Sequence, residues 1–197
     1  FANSFQTAGG EILGMQFTPF PAMGDPAPFI TEIRGADPPM VFCFYSGASA
    51  VTFVQAYGEF GLGGNIPLVC AGFSVEEDVL PAQGEAALGA RSGLHWSLLL
   101  DNPANRNFTA AYKGQTGKDA NVFAVQGYDT GRVIAEILDA VQGDTSDVNG
   151  MIDAVSGISF DSPRGPFTFD HRSQNPTQHI YVREVKKVDG TPHNVVI

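Results

Sequence analysis

The sequence predicts an α/β fold, a doubly wound parallel sheet flanked by helices. Two observations carry the prediction. Apolar runs such as Met40-Val41-Phe42-Cys43-Phe44-Tyr45 are continuous, the mark of strands covered on both faces. The elements also alternate, strand then helix then strand then helix, through the first half of the chain.

The elements follow in order. Phe1 to Gly10 reads as the last turns of a helix closed by glycine, with no helix start before it. This is expected of a chain whose natural N-terminal portion is absent. Glu11 to Phe17 reads as a strand and Pro19-Phe20-Pro21 as a loop. Asp25-Pro26 is a helix start, with Gly35 its expected end. After the run at 40–45, Ser46-Gly47-Ala48-Ser49 opens a helix carrying Val51, Val54, Tyr57 and Phe60 on one face and stopping at Gly61. Ile66 to Ala71 is the next strand; Gly72-Phe73-Ser74 turns into a short acidic helix over Val75 to Leu80. Arg91 to Leu100 is a further extended run. The pattern then becomes helical: one helix around Phe108, Ala111 and Tyr112 ending near Gly117, a longer one over Val122 to Val141, and a short one over Val148 to Val155. Strands resume at Phe167-Thr168-Phe169 and His179 to Val188, and Asp189-Gly190 turns the chain back through His193 to Ile197.

Composition narrows the function. The chain has 197 residues, 43% of them hydrophobic, enough for a real core and against bulk disorder. With 11 Lys plus Arg against 21 Asp plus Glu, the net charge is −10. That excess disfavours nucleic acid and anionic membrane surfaces as partners, since both reward clustered cations. The only adjacent basic pair is Lys186-Lys187. No apolar stretch approaches the ~18 residues a membrane span needs.

The chemical motifs are sparse. His95, His171, His179 and His193 are scattered without metal-ligand spacing, so no metal is expected. Cys43 and Cys70 lie in apolar strand-like runs and read as buried small hydrophobes; a disulfide between neighbouring parallel strands is geometrically awkward. Asp147-Val148-Asn149-Gly150 looks like the middle of a calcium loop, but Thr145 and Ser156 stand where acids are needed. No nucleophile elbow surrounds Ser49 or Ser92, and Gly61-Leu62-Gly63-Gly64 lacks the Lys of a phosphate loop. Glu76-Glu77-Asp78 are expected as solvated carboxylates at a helix start, with nothing nearby to bury one. Asn107-Phe108-Thr109 fits a glycosylation sequon, a pattern common by chance.

No catalytic constellation emerges, and no cofactor is expected. What emerges is a pair of small-residue loops at strand ends, Tyr45 to Ser49 and Ala71 to Ser74, where ligands collect in parallel sheets. Backbone N–H groups after Tyr45 suit an anion such as a carboxylate. Phe73 and Trp96 are candidates to wall an apolar or aromatic group.

Several segments together carry a resemblance: Gly9-Gly10-Glu11, Tyr45-Ser46-Gly47, Phe60-Gly61-Leu62, Asp101-Asn102-Pro103-Ala104-Asn105, Gly127-Tyr128-Asp129, Ser162-Pro163-Arg164-Gly165-Pro166-Phe167-Thr168-Phe169-Asp170 and Tyr181-Val182. In order and spacing the chain resembles the branched-chain amino-acid type of periplasmic substrate-binding protein of ABC transporters. Members have two α/β lobes with ligand enclosed between them and are usually nearly twice as long. The resemblance implies that residues 1–98 and 163–197 form the second lobe and 99–162 the helical C-terminal part of the first, whose sheet would precede Phe1. It implies an exported, periplasmic protein, monomeric, with no enzyme activity, delivering a small solute to an ABC permease in the inner membrane. The ligand contacts it carries over are Ser46, Gly47, Ala48 and Ser49 in one loop and Gly72 and Phe73 in the other; Tyr45 and Trp96 join them from the residue reading. Amino-acid binders of the family commonly place a carboxylate in the second loop for the substrate ammonium. Here Ala71-Gly72-Phe73-Ser74 has no acid before Glu76, and a buried ammonium without an anionic partner is expensive. The expected solute is therefore an aromatic or other organic carboxylate, branched-chain or amino acid included. The alternative is a ligand-sensing regulatory domain of the same architecture.

Overall fold

The structure is a computed structural model that describes residues 1–19 and 21–197; Phe20, in the middle of the loop expected at 19–21, lies outside the described residues. The architecture is mixed α/β, with a mostly parallel sheet flanked by helices. The elements are α1 (Ala2–Thr7), α2 (Ala27–Ala36), β1 (Val41–Cys43), α3 (Gly47–Glu59), β2 (Leu68–Ala71), α4 (Leu80–Gln83), β3 (Arg91–Leu94), α5 (Pro103–Thr116), α6 (Val122–Ala140), α7 (Val148–Val155), β4 (Ser159–Ser162), β5 (Gly165–Phe169), β6 (Pro176–Thr177), β7 (Tyr181–Val188) and β8 (Thr191–Val196). A five-stranded sheet has the order β1-β2-β3-β7-β8 and a three-stranded sheet the order β4-β5-β6.

The chain divides into two compact units. The first comprises residues 1–75, 79–92 and 185–192. Its core gathers Ile30 of α2, Phe53, Val54 and Tyr57 of α3, Leu68 and Cys70 of β2, Leu80 of α4 and Val185 of β7. The apolar face read for α3 is there, centred on Phe53, Val54 and Tyr57. Buried Tyr57 satisfies its hydroxyl by donating to the Ile66 carbonyl at 3.0 Å. At the start of α2 the Asp25 carboxylate accepts from the Ala27 N–H at 2.9 Å, as the sequence predicts, and the helix runs one residue past Gly35 before Asp37 turns left-handed.

Three expectations for this unit change. Glu11 to Phe17 forms no strand: Leu13, Met15 and Phe17 are all exposed, so the alternation there has no sheet to serve. The run at 40–45 shortens to Val41–Cys43 at a sheet edge, with Phe42 and Phe44 exposed rather than covered. The acidic helix over Val75 to Leu80 is replaced by a 3₁₀ turn at Gly72–Val75 and the short α4, where Pro81 sits in the first helical turn.

The second unit comprises residues 76–78, 93–184 and 193–197. Its helices match the sequence closely. Asn102 caps α5 by accepting from the Asn105 N–H at 2.8 Å, Asn121 caps α6 from Ala124 at 3.0 Å, and Asp147 caps α7 from Gly150 at 2.9 Å. Asp147 is thus a helix cap, not a calcium ligand. Strand β4, unread in the sequence, pairs antiparallel with β5 and stacks Phe160 on Phe167 at 4.9 Å. The Asp189-Gly190 turn joins β7 to β8, both residues at positive φ (48° and 85°), which glycine adopts freely and aspartate tolerates.

This unit holds two buried ion pairs. Asp129 takes Arg164 Nε at 2.6 Å and the Ser162 hydroxyl at 2.7 Å on one oxygen. Glu76 takes Arg183 at 3.0 Å and the Val122 N–H at 2.9 Å, with Arg183 donating also to the Trp96 carbonyl at 2.9 Å. Glu76 is 1% exposed, which corrects the expectation of a solvated carboxylate: residues 76–78 join the second unit, where a long-range partner 107 positions away covers it. Burial raises its pKa above the usual carboxylate value, and the charge of Arg183 offsets part of that rise. Removing one partner strands the other as a buried charge. Arg183→Met is expected to lower unfolding free energy by about 3–5 kcal/mol, and Glu76→Leu with Arg183→Met to recover much of it, read by urea denaturation.

Candidate functional site

The site is built in the first unit by strand register. Strands β1 and β2 are parallel neighbours, with Val41 opposite Leu68, Phe42 opposite Val69 and Cys43 opposite Cys70. Two parallel strands in step end at the same sheet edge, so the segments leaving them, 44–49 and 71–74, emerge side by side. Hydrogen bonds fix them together. The Ser74 hydroxyl accepts from the Tyr45 N–H at 2.9 Å and donates to the Tyr45 carbonyl at 2.8 Å.

The first loop runs into α3, whose N-terminal residues Ser46, Gly47 and Ala48 are exposed. Ser46 is the extended residue before the helix (φ −144°) and makes no side-chain cap. Gly47 has φ +55°, a left-handed conformation glycine tolerates at little cost, and beyond its chain neighbours and its own helix no described atom lies within 4 Å of the position a Cβ would take. The start of a 13-residue helix therefore presents open N–H groups and the positive end of the helix dipole. Ser49 is half-buried, its hydroxyl 3.4 Å from the Pro21 carbonyl. Tyr45 is half-buried, with its ring 4.9 Å from that of Phe53. In the second loop Gly72 is buried and Phe73 half-buried.

Seven of the eight residues singled out, Tyr45, Ser46, Gly47, Ala48, Ser49, Gly72 and Phe73, thus fall in these two clipped loops. Trp96 does not share their setting. It belongs to the second unit, has no exposed surface, and donates its indole N–H to Asn105 Oδ1 at 2.8 Å. Asn105 in turn donates to the Leu98 and Leu100 carbonyls. That environment makes Trp96 an anchor of the segment entering α5 and corrects its reading as a ligand wall. Sequence reasoning placed Ser74 in the second loop without its role as a tie, and missed Gln83. Gln83 Nε2 reaches the Ser74 carbonyl at 2.7 Å and the Ala50 carbonyl at 3.2 Å. No local pattern marks a glutamine nine residues downstream as a loop tie.

Beneath the loops, Cys43 and Cys70 are free buried thiols, as expected of small core residues. The Cys70 thiol beside it, and burial next, hold the Cys43 pKa well above the usual value, so the group stays protonated. Among the described residues no group of His, Cys, Asp or Glu is arranged to hold a metal ion. Nor does any described helix have the length and apolar character to cross a membrane. In the second unit, burial first, then the charges of Arg164 and Arg183, lower the His95 pKa to about 4, and Gln126 lies 3.4 Å from its Nε2.

The fold is that of the periplasmic binding class. The periplasmic binding protein family model matches residues 1–191, and the chain belongs to that family. It is 36% identical over 199 residues to Leu/Ile/Val-binding protein homolog 6 of Brucella melitensis, covering 98% of this chain and 50% of the relative. The chain thus spans about half the length of the curated relatives it matches. Among solved structures, it is similar to an ABC-transporter solute-binding protein from R. palustris in complex with benzoate (TM-score 0.89, 34% identity, 100% of this chain and 52% of that one). It is likewise similar to one from Rhodopseudomonas palustris HaA2 in complex with p-hydroxybenzoic acid (TM-score 0.92, 33% identity, 100% and 54%). Both are solute-binding proteins of ABC transporters.

Two outcomes test the local chemistry. At pH 8 the native Cys43 thiol is expected to resist iodoacetamide for hours and to react within minutes once unfolded, followed by mass spectrometry. His95 binds its proton below about pH 4 when folded and near 6.5 when unfolded, so the unfolded state holds more protons between those values and stability rises with pH across that window. Thermal melts from pH 4.5 to 7 are expected to show that rise, and His95→Gln to flatten it.

Proposed function

We propose that the protein is the solute-binding component of an ABC importer, capturing an aromatic carboxylate and delivering it to a permease in the inner membrane. The observation that carries the reading is the clipped pair of loops at 45–49 and 71–74: open N–H groups at the start of α3 suit a carboxylate, and the rings of Tyr45 and Phe73 suit a flat apolar body. The acids that follow the second loop have other partners. Glu76 is held by Arg183, and Glu77 by His193 and the Asn194 N–H, each at 3.2 Å. An α-ammonium group would find no carboxylate of loop 71–74 to pair with, which disfavours an amino acid and favours an acid without an amine. The benzoate and p-hydroxybenzoate complexes of the similar proteins support the same class.

In this reading residues 1–98 and 163–197 form one lobe of a closing protein, residues 99–162 belong to the other, and ligand supplies the differential affinity that favours the closed state. Export to the periplasm and a monomeric state accompany that role.

Calorimetric titration of the intact protein tests it. Benzoate is expected to bind at least 100-fold more tightly than leucine, and Phe73→Ala to weaken benzoate by about 1–3 kcal/mol. Leucine binding as well as benzoate, or an unchanged affinity in the Phe73 variant, contradicts the assignment.

A further inference from the structure

The two loops are not held only by their own chain continuity. Ser74 has no exposed surface, and its hydroxyl both accepts and donates on one residue of the neighbouring loop, accepting from the Tyr45 N–H and donating to the Tyr45 carbonyl. Both peptide groups flanking Tyr45 are thereby fixed just before the start of α3. The carbonyl of Ser74 is tied separately. It accepts from Gln83 Nε2 at 2.7 Å, and the same amide nitrogen donates to the carbonyl of Ala50 at 3.2 Å, in the first turns of α3. Segment 45–50 is thus held at one end by Ser74 and at the other by Gln83, which also holds Ser74.

Gln83 is 3% exposed, and its Oε1 has no hydrogen-bond partner among the described residues. Both neighbours of Nε2 are carbonyl oxygens, so the amide must face them with its donor end. A buried acceptor without a partner costs stability, which the two bonds donated by Nε2 offset.

We propose that Ser74 and Gln83 are positioning residues that set the separation of loops 45–49 and 71–74, and that this fixed separation confers the preference for a flat aromatic carboxylate over a branched aliphatic one. The proposal rests on the reading of these loops as the ligand site. Neither side chain need touch ligand. Ser74 acts through the backbone of Tyr45, and Gln83 through the carbonyls of Ser74 and Ala50. Loss of the clip releases one loop from the other, so the gap adapts to thicker or rounder acids and the preference fades.

The test uses the intact protein with benzoate and isovalerate as probes, together with hydrogen exchange in the absence of either. For Ser74→Ala, the ratio of benzoate to isovalerate affinity is expected to fall at least 5-fold, and exchange of the Tyr45 amide to rise at least 10-fold while the β2 amides keep their protection. Ser74→Thr, which retains the hydroxyl, is expected to restore both within about 3-fold. Gln83→Leu is expected to lower the ratio in the same direction. Ile158→Val, in the core of the second unit, serves as a control that lowers stability with the ratio unchanged. A ratio that stays constant in Ser74→Ala, or that moves equally in the control, overturns the proposal. If the unaltered protein binds neither probe, the ligand-site reading fails by itself, and exchange decides the positioning claim: Tyr45 protection that survives in Ser74→Ala refutes it, and protection lost there but kept in Ser74→Thr upholds it.

Discussion

Strand register is the constraint from which the rest of the site follows. Because Cys43 stands opposite Cys70 in a parallel pair, both chains leave the sheet at one level, and a helix start and a 3₁₀ turn are delivered to the same edge. A slip of one residue would turn Cys43 and Cys70 out of the core and carry Ser74 away from the Tyr45 backbone. The core of the first unit guards against that slip. Leu68 and Cys70 face inward against Phe53, Val54 and Tyr57, so the register is set by side chains remote from any ligand.

What the edge offers is a field and a shape instead of a reactive group. The exposed N–H groups ahead of Ala50 are aligned before any anion arrives, so binding would need little reorganisation. Tyr45 leans on Phe53 and is held by Ser74, which makes its ring part of the scaffold. Among the described residues no group of His, Cys, Asp or Glu at these loops is arranged to hold a metal ion.

Much of this was legible in the sequence, and the failures have a common cause. Helices α5, α6 and α7 were readable because their signals are local: Phe108, Ala111 and Tyr112 mark α5 and Gly117 closes it, an apolar stripe runs through α6, and a short helical run spans Val148 to Val155. The two loops were readable because small residues followed apolar runs. The misreadings all turn on distant partners. Glu76 looked like a surface carboxylate because its neighbours are acidic, whereas its environment is set by Arg183 on β7. Trp96 looked available because nothing near it announces Asn105 as its hydrogen-bond acceptor. Glu11 to Phe17 has a strand's alternation and no strand beside it. Ser74 and Gln83 carry no pattern at all, since a hydroxyl and an amide acquire meaning only from the carbonyls folding brings to them.

The most direct measurement is a crystal structure of the intact protein grown with benzoate. The account predicts the carboxylate within hydrogen-bond distance of the N–H groups of residues 47–49, the ring against Phe73, and Ser74 still bonded to Tyr45. Benzoate seated away from both loops, or its carboxylate paired with a cationic side chain while the start of α3 stays empty, would contradict it.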